Sequence, residues 1–154
     1  MAVTLFPDAS PAKVAAALRA LAHDMGDPYL MDDDLLAGML TDTGGATGAV
    51  LAEDSAGPVG VALYSIFVST TRGRVGAFVT DLWVAEGQRG TGLGRALLAC
   101  ARDTVAARWG ATFLRLNYDA DNQGAAAFYA RLGFQAMPQE TWVTLEGTAL
   151  QELA

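Results

Sequence analysis

A glycine-rich junction between a strand-like and a helix-like pattern is the part of this sequence best suited to chemistry. An apolar run ends at Val84, and the segment Arg89–Arg95 (RGTGLGR) then alternates three glycines with other residues between two arginines. The first turn of a helix leaves backbone N–H groups unpaired and carries partial positive charge. Because glycine lets a ligand approach such groups closely, the junction predicts a phosphate-binding loop.

Two common phosphate loops do not fit this junction. The Walker A pattern requires a lysine directly after its glycines, and none follows here. The dinucleotide fingerprint G-x-G-x-x-G requires a third small residue, but the two possible registers place Arg95 or Leu97 there. A phosphate of another kind of ligand is then expected here, and the alternative is a strand-to-helix connection that needs glycine only for its turn.

The elements around the junction follow the order β-α-α-β-β-β-α-β-α-β, with a short terminal helix. Apolar runs broken by turn formers predict antiparallel hairpins in the first half. A β-α-β-α unit follows, with strands expected at Val75–Val84 and Thr112–Leu116, and a last strand is expected at Thr141–Leu145. No repeat or low-complexity linker divides the chain, so we expect one mixed α/β domain over residues 1–154.

Composition narrows the class of protein. The chain has 154 residues, of which 52% are hydrophobic, so it can bury a substantial core. With a net charge of −7 and only ten basic residues, it lacks the basic face of a nucleic-acid binder. No run approaches the ~18 apolar residues of a membrane span, no basic signal segment precedes an apolar run, and Cys100 stands alone. We expect a cytoplasmic protein that binds neither nucleic acid nor membrane.

Two sequence blocks carry a resemblance to a known family. The hexapeptide RGTGLG (Arg89–Gly94) resembles the Arg/Gln-x-x-Gly-x-Gly/Ala signature of the Gcn5-related N-acetyltransferase (GNAT) superfamily. The block NQGAAAFYARLGF (Asn122–Phe134) is similar to a later motif of that superfamily, N-x-x-A-x-x-F-Y-x-x-x-G-F. The likeness is strong over Val75–Phe134 and looser elsewhere.

The resemblance implies a fold and a cofactor. The fold would be a mixed, mostly antiparallel sheet with a β-α-β-α acetyl-CoA-binding unit and a V-shaped splay between two central parallel strands. The pantetheine arm of acetyl-CoA would pair with Leu82, Trp83 and Val84, and Asn122 would contact it. The pyrophosphate would be held by the loop residues Arg89, Gly90, Thr91, Gly92, Leu93, Gly94 and Arg95. No metal is implied.

The resemblance also implies direct acetyl transfer to an amine. By this likeness Tyr129 would protonate the departing thiolate, the N–H near Val84 would hold the thioester oxygen, and Asp81 is our candidate for accepting the amine proton through water. Each residue has a structural alternative: Tyr129 as a core aromatic, Asp81 as a carboxylate at a turn, Asn122 as a helix N-cap.

A narrower likeness concerns the acceptor. The segments YSIFVSTTRGRVGAFVTDLWV and TWVTLEGTALQELA resemble the diamine and thialysine acetyltransferase branch, which suggests a small primary amine and a homodimer. Arg115 and Asp121 depart from that branch, which commonly has an acidic residue and a tryptophan there. A protein or peptide acetyltransferase and a non-catalytic acyl-CoA sensor remain alternatives.

Overall fold

The computed structural model describes residues 2–110 and 113–153, and its elements follow the predicted order closely. In chain order they are β1 (Thr4–Phe6), α1 (Pro11–Met25), α2 (Asp33–Thr41), β2 (Thr47–Asp54), β3 (Gly57–Ser69), β4 (Arg74–Val84), α3 (Leu93–Trp109), β5 (Leu114–Leu116), α4 (Gln123–Arg131) and α5 (Gly147–Gln151). A single 3₁₀ turn, Glu86–Gln88, links β4 to the glycine loop. The expected strand start at Thr112 lies outside the described residues.

Helix boundaries are set by local capping. Pro11 opens α1 after Ser10, whose hydroxyl accepts a bond from the Lys13 N–H. Asp32 and Asn122 cap α2 and α4 in the same way, accepting bonds of 2.8 and 2.9 Å from backbone N–H groups three residues on. These contacts are local in sequence, which is why the helix starts were predictable.

The five strands form one mixed sheet in the order β1-β2-β3-β4-β5. All neighbours are antiparallel except β4 and β5, which run parallel. The predicted mixed, mostly antiparallel sheet is therefore confirmed, and the parallel pair lies at one edge of the described sheet.

The core lies on both faces of this sheet. Residues of α1 and α2 pack with Leu51, Val61 and Trp83 on one face. Side chains alternate along a strand, so the intervening residues face α3; a Cβ added to Gly60 would lie 3.0 Å from Leu97 of that helix. We call these two sides the α1 face and the α3 face.

Strand β4 contains a bulge at Thr80. Tyr64 pairs with Val79, but Leu63 pairs with Asp81, so Thr80 is an extra residue without a partner opposite. The pairing with β5 also ends at Val79, whereas β4 continues to Val84. Because a bulge bends its strand and increases local twist, the second half of β4 leaves β5 at this point.

The prediction of a last strand at Thr141–Leu145 was wrong. These residues have no regular secondary structure, and no described strand pairs with them. A single short strand is not stable without a hydrogen-bonded neighbour, so strand-like composition alone misled the prediction.

The described chain forms two compact units, the first ending at Asn117 and the second beginning at Tyr118. A single domain over residues 1–154 stays a prediction. Within the described ranges, no helix combines the length and apolar character needed to cross a bilayer.

Candidate active site

The glycine loop has the backbone of an anion site. Gly90 and Gly92 have φ of +79° and +91°, in the left-handed region that favours glycine. Gly92 also occupies the N-cap position of α3, where no side chain caps the helix. Space is open where a Cβ would stand at either glycine.

Backbone donors converge at this helix start. In the described part of the chain, no protein atom accepts a hydrogen bond from the N–H groups of Leu93, Gly94 and Arg95. These unpaired donors add to the positive end of a 17-residue helix. The combination attracts anions, and phosphate above all.

The two arginines of the loop differ in their surroundings. Arg95 is exposed and forms no ion pair with any described residue, so its guanidinium is available to an anion. The Arg89 side chain instead donates to the Val84 carbonyl oxygen at 3.0 Å and to Asp24 at 2.8 Å. Any phosphate contact by Arg89 would require it to leave these partners.

The end of β4 offers an unpaired backbone edge. The bond from the Ala85 N–H to the Val59 carbonyl fixes which residues of β4 bond to β3. By the antiparallel alternation, Trp83 turns its backbone groups to β3, while Leu82 and Val84 turn theirs to the other side. No described strand pairs with that side beyond Val79. Trp83 itself is buried with its indole in the core.

Asp24 was not predicted from the sequence, and it contacts two of the predicted site residues. It lies in the last turn of α1 and accepts from the Trp83 indole N–H at 2.9 Å as well as from Arg89. The Trp83 hydrogen bond, assisted by the Arg89 charge, holds the pKa of Asp24 below its ordinary value. A carboxylate is unfavourable at a helix C-terminus. The presence of Asp24 at the end of a predicted helix was therefore the one sequence feature that could have indicated a tertiary contact.

Asp81 lies on the α1 face. Its cross-strand partner Leu63 packs on the α1 core, as does Tyr29 from the segment between α1 and α2. The Tyr29 hydroxyl is buried and has no hydrogen-bond partner in the described chain. Burial raises its pKa, and the carboxylates of Asp33 and Asp81 raise it further against the opposing charge of Arg19. Tyr29 was not predicted as a site residue.

The second unit holds the remaining predicted residues. Tyr129 of α4 is 9% exposed and packs against Tyr118, Phe128 and Phe134, with ring centroids 5.6, 5.1 and 5.4 Å away. Burial raises the pKa of Tyr129, so the phenol keeps its proton at neutral pH. Asn122 is the N-cap of α4, the structural alternative considered for it.

Comparison with known families identifies the chain. The model of the acetyltransferase (GNAT) family matches residues 15–134, which include both the glycine loop and Tyr129. The chain belongs to this family. It is an N-acetyltransferase, and its sheet and helices have the GNAT fold.

Solved structures share this fold at low sequence identity. An integron cassette protein from the mobile metagenome of V. cholerae is 19% identical, with a TM-score of 0.77 over 99% of this chain and 98% of that one. A ribosomal-protein-alanine N-acetyltransferase from Brucella melitensis biovar Abortus 2308 is 20% identical, with a TM-score of 0.71 over 94% and 99%.

A third structure is an aminoglycoside acetyltransferase from an uncultured soil metagenomic sample, in complex with sisomicin. It is 15% identical, with a TM-score of 0.75 over 94% of this chain and 96% of that one. No curated protein sequence matches the chain significantly.

The GNAT family generally uses acetyl-CoA. The residues present fit its pyrophosphate, because three unpaired N–H groups, an unpaired arginine and two open left-handed glycines meet at one helix start. They also fit its amide-bearing arm, because the outward N–H and C=O groups of Leu82 lie on an edge that no described strand occupies.

Proposed function

We propose that this GNAT enzyme transfers the acetyl group of acetyl-CoA directly to the primary amine of a small molecule. The observation that carries the proposal is the set of unpaired N–H groups at the start of α3, next to the unpaired end of β4. A pyrophosphate and an amide-bearing arm are what these two neighbouring surfaces complement.

In this proposal the loop holds the pyrophosphate through the backbone of Gly90–Arg95, with the Arg95 guanidinium as a charged contact. Leu82 and Val84 hydrogen-bond the pantetheine arm. The Trp83 side chain packs in the core and holds this part of β4 in place. Arg89 keeps its hydrogen bonds to Asp24 and to the Val84 carbonyl oxygen. Asn122 of the second unit contacts the arm in addition to capping its helix.

Acetyl-CoA supplies an acyl group on a good thiol leaving group. Asp81 accepts the proton that the acceptor ammonium must lose, through water, because only a neutral amine attacks. The Val84 N–H, which faces the unpaired edge, stabilises the oxygen that gains charge. Tyr129 donates a proton to the departing thiolate.

The position of the Arg115 side chain is compatible with a cationic acceptor. Its guanidinium lies over the Phe67 ring, 4.8 Å from the centroid. Phe67 pairs with Gly76, five residues before Asp81 on β4, which is roughly 16 Å along a strand. The positive head of Arg115 is thus drawn away from Asp81, so its presence does not oppose a polyamine or thialysine acceptor of the diamine branch.

Release of free thiol from acetyl-CoA tests the function. The full chain is incubated with spermidine, thialysine, free amino acids, an aminoglycoside and a peptide with a free N-terminus. We expect turnover with at least one small amine and little with the peptide. Turnover with the peptide alone would replace the small-molecule acceptor with a protein substrate. Tight acetyl-CoA binding without turnover of any amine would favour a sensor.

A further inference from the structure

A cavity lies in the first unit, remote from the glycine loop. It has a volume of about 370 Å³ and is bounded by the segment after β1, the end of α2, the start of β2 and the end of α3. The glycine loop is at the other end of α3, 17 residues away, or roughly 25 Å along the helix axis. The volume lies within the range of roughly 300–1,000 Å³ typical of small-molecule sites.

A buried tyrosine lines this cavity. Tyr64 is 3% exposed, lines the cavity, and forms no hydrogen bond with any described residue. Its ring lies across Gly48, its cross-strand partner, where an added Cβ would stand 2.5 Å from the hydroxyl oxygen. Burial raises the pKa of Tyr64, and the charge of Asp8 adds to this, so the hydroxyl is a donor at neutral pH.

Two opposite charges line the same cavity without neutralising each other. Asp8 and Arg108 both contribute to the wall, yet neither forms an ion pair or side-chain hydrogen bond with a described residue. Arg108 is held by stacking on Trp109, 4.7 Å from the ring centroid. A simple anion or cation would be attracted by one of these charges and repelled by the other.

We propose that this cavity binds a small zwitterion, a free amino acid, separately from acetyl transfer. The ammonium group pairs with Asp8, the carboxylate pairs with Arg108, and the Tyr64 hydroxyl donates to a carboxylate oxygen. The apolar side chains of Leu40 and Val105, which also line the cavity, contact the aliphatic part of the ligand.

Calorimetric titration of the full chain with leucine tests the site, with isopentylamine and 4-methylpentanoate as analogues that each lack one charged group. We expect saturable binding of leucine, and binding of either analogue weaker by roughly tenfold or more, because each lost contact is to a charged group. Equal binding of an analogue, or no binding of any tested amino acid, would overturn the proposal.

Variants locate the binding. Arg108→Gln should weaken leucine binding roughly tenfold or more, and Tyr64→Phe should weaken it roughly two- to tenfold. Arg102→Gln is the matched control, since Arg102 is an exposed arginine of α3 outside the cavity wall. Leucine binding that survives Arg108→Gln unchanged would place the ligand elsewhere, including the acceptor site, and contradict the proposal.

Discussion

Tyr129 packs as a core aromatic and is also the proposed acid, and the two roles can be separated by removing its hydroxyl. Tyr129→Phe keeps the three ring contacts and loses only the proton donor. We expect kcat to fall by roughly 10²-fold or more, since general acid catalysis contributes on that order. The KM for acetyl-CoA should change little, as measured by thiol release.

Tyr118→Phe is the control, because Tyr118 stacks on Tyr129 and also carries a phenol. It should retain nearly full kcat. If both variants lose activity equally, the loss reflects packing of the aromatic cluster and Tyr129 is not the acid.

The contacts of Asp24 could not be predicted from the sequence. Its partners Trp83 and Arg89 are 59 and 65 residues away in sequence, and no local pattern records such a contact. The predictions for Tyr129 and the loop residues could be made because each of them belongs to a short motif. Asp24 and Tyr29 belong to none, and only the packing of the α1 side of the molecule against β4 reveals them.

Asp24→Ala should raise the KM for acetyl-CoA severalfold, because the Trp83 indole N–H then loses its acceptor and the neighbouring Leu82 and Val84 lose support. The pKa of Asp24 is lowered from 3.8 in the folded protein. Its carboxylate is therefore ionised above that pH, and its hydrogen bonds to Trp83 and Arg89 weaken only as the pH falls further. The ratio of the KM of Asp24→Ala to that of the natural protein should therefore stay constant between about pH 5 and 8.

Asp27→Ala is a suitable comparison for this variant, because Asp27 is exposed just beyond α1 and has no side-chain hydrogen bond with a described residue. An equal KM for acetyl-CoA in the two variants would contradict the role of Asp24 in acetyl-CoA binding. So would a difference in KM between Asp24→Ala and the natural protein that vanishes between pH 5 and 8.

In the glycine loop, the proposed binding of acetyl-CoA depends on the backbone conformation more than on the side chains. Gly92→Ala forces a φ of +91° on a residue with a Cβ, at a cost of about 1–2 kcal/mol. We expect thermal unfolding to show a loss of this order, and the KM for acetyl-CoA to rise as the loop relaxes away from its anion-binding form.

Gly87→Ala is the matched control, because Gly87 has no positive φ and open space around it. It should leave both the KM and the unfolding temperature nearly unchanged. If the KM of Gly92→Ala matches that of Gly87→Ala, the loop does not hold the cofactor.

Helices whose ends are marked by capping residues were predicted well. A strand that depends on pairing with another strand was not. Caps at Ser10 and Asn122 and the left-handed Gly110 after α3 mark their boundaries within a few residues. The segment 141–145 has strand-like composition, but whether it becomes a strand depends on an edge to pair with, which composition does not contain.

At the scale of the whole molecule, we propose that the enzyme is a homodimer that uses its C-terminal segment. In the described chain this segment exposes large apolar side chains: Trp142, Val143, Leu145, Leu150 and Leu153. Contiguous exposed apolar surface marks interaction sites, and pairing with a second copy would give residues 141–145 the strand edge that they lack.

Light scattering should therefore give twice the 16.0 kDa mass of one chain. Val143→Asp should shift the mass to one chain without unfolding it, because Val143 is 88% exposed. Gln139→Asp adds the same charge nearby without removing an apolar group and should remain dimeric. A mass of one chain for the natural protein at all concentrations would remove the dimer.

The bulge at Thr80 has a consequence for how β4 tolerates a deletion. Side chains alternate along a regular strand, so without a bulge Val79 and Asp81 would lie on the same face of β4. The unpartnered Thr80 instead puts Asp81 and Trp83 opposite Leu63 and Val61, on the α1 face. Deleting Thr80 would leave Val79 opposite Tyr64 and Asp81 opposite Leu63, so the same side chains would face α1, but the strand would lose its bend. The bulge therefore sets the course of β4 past the end of β5, and a shortened strand should keep its faces while closing the unpaired edge.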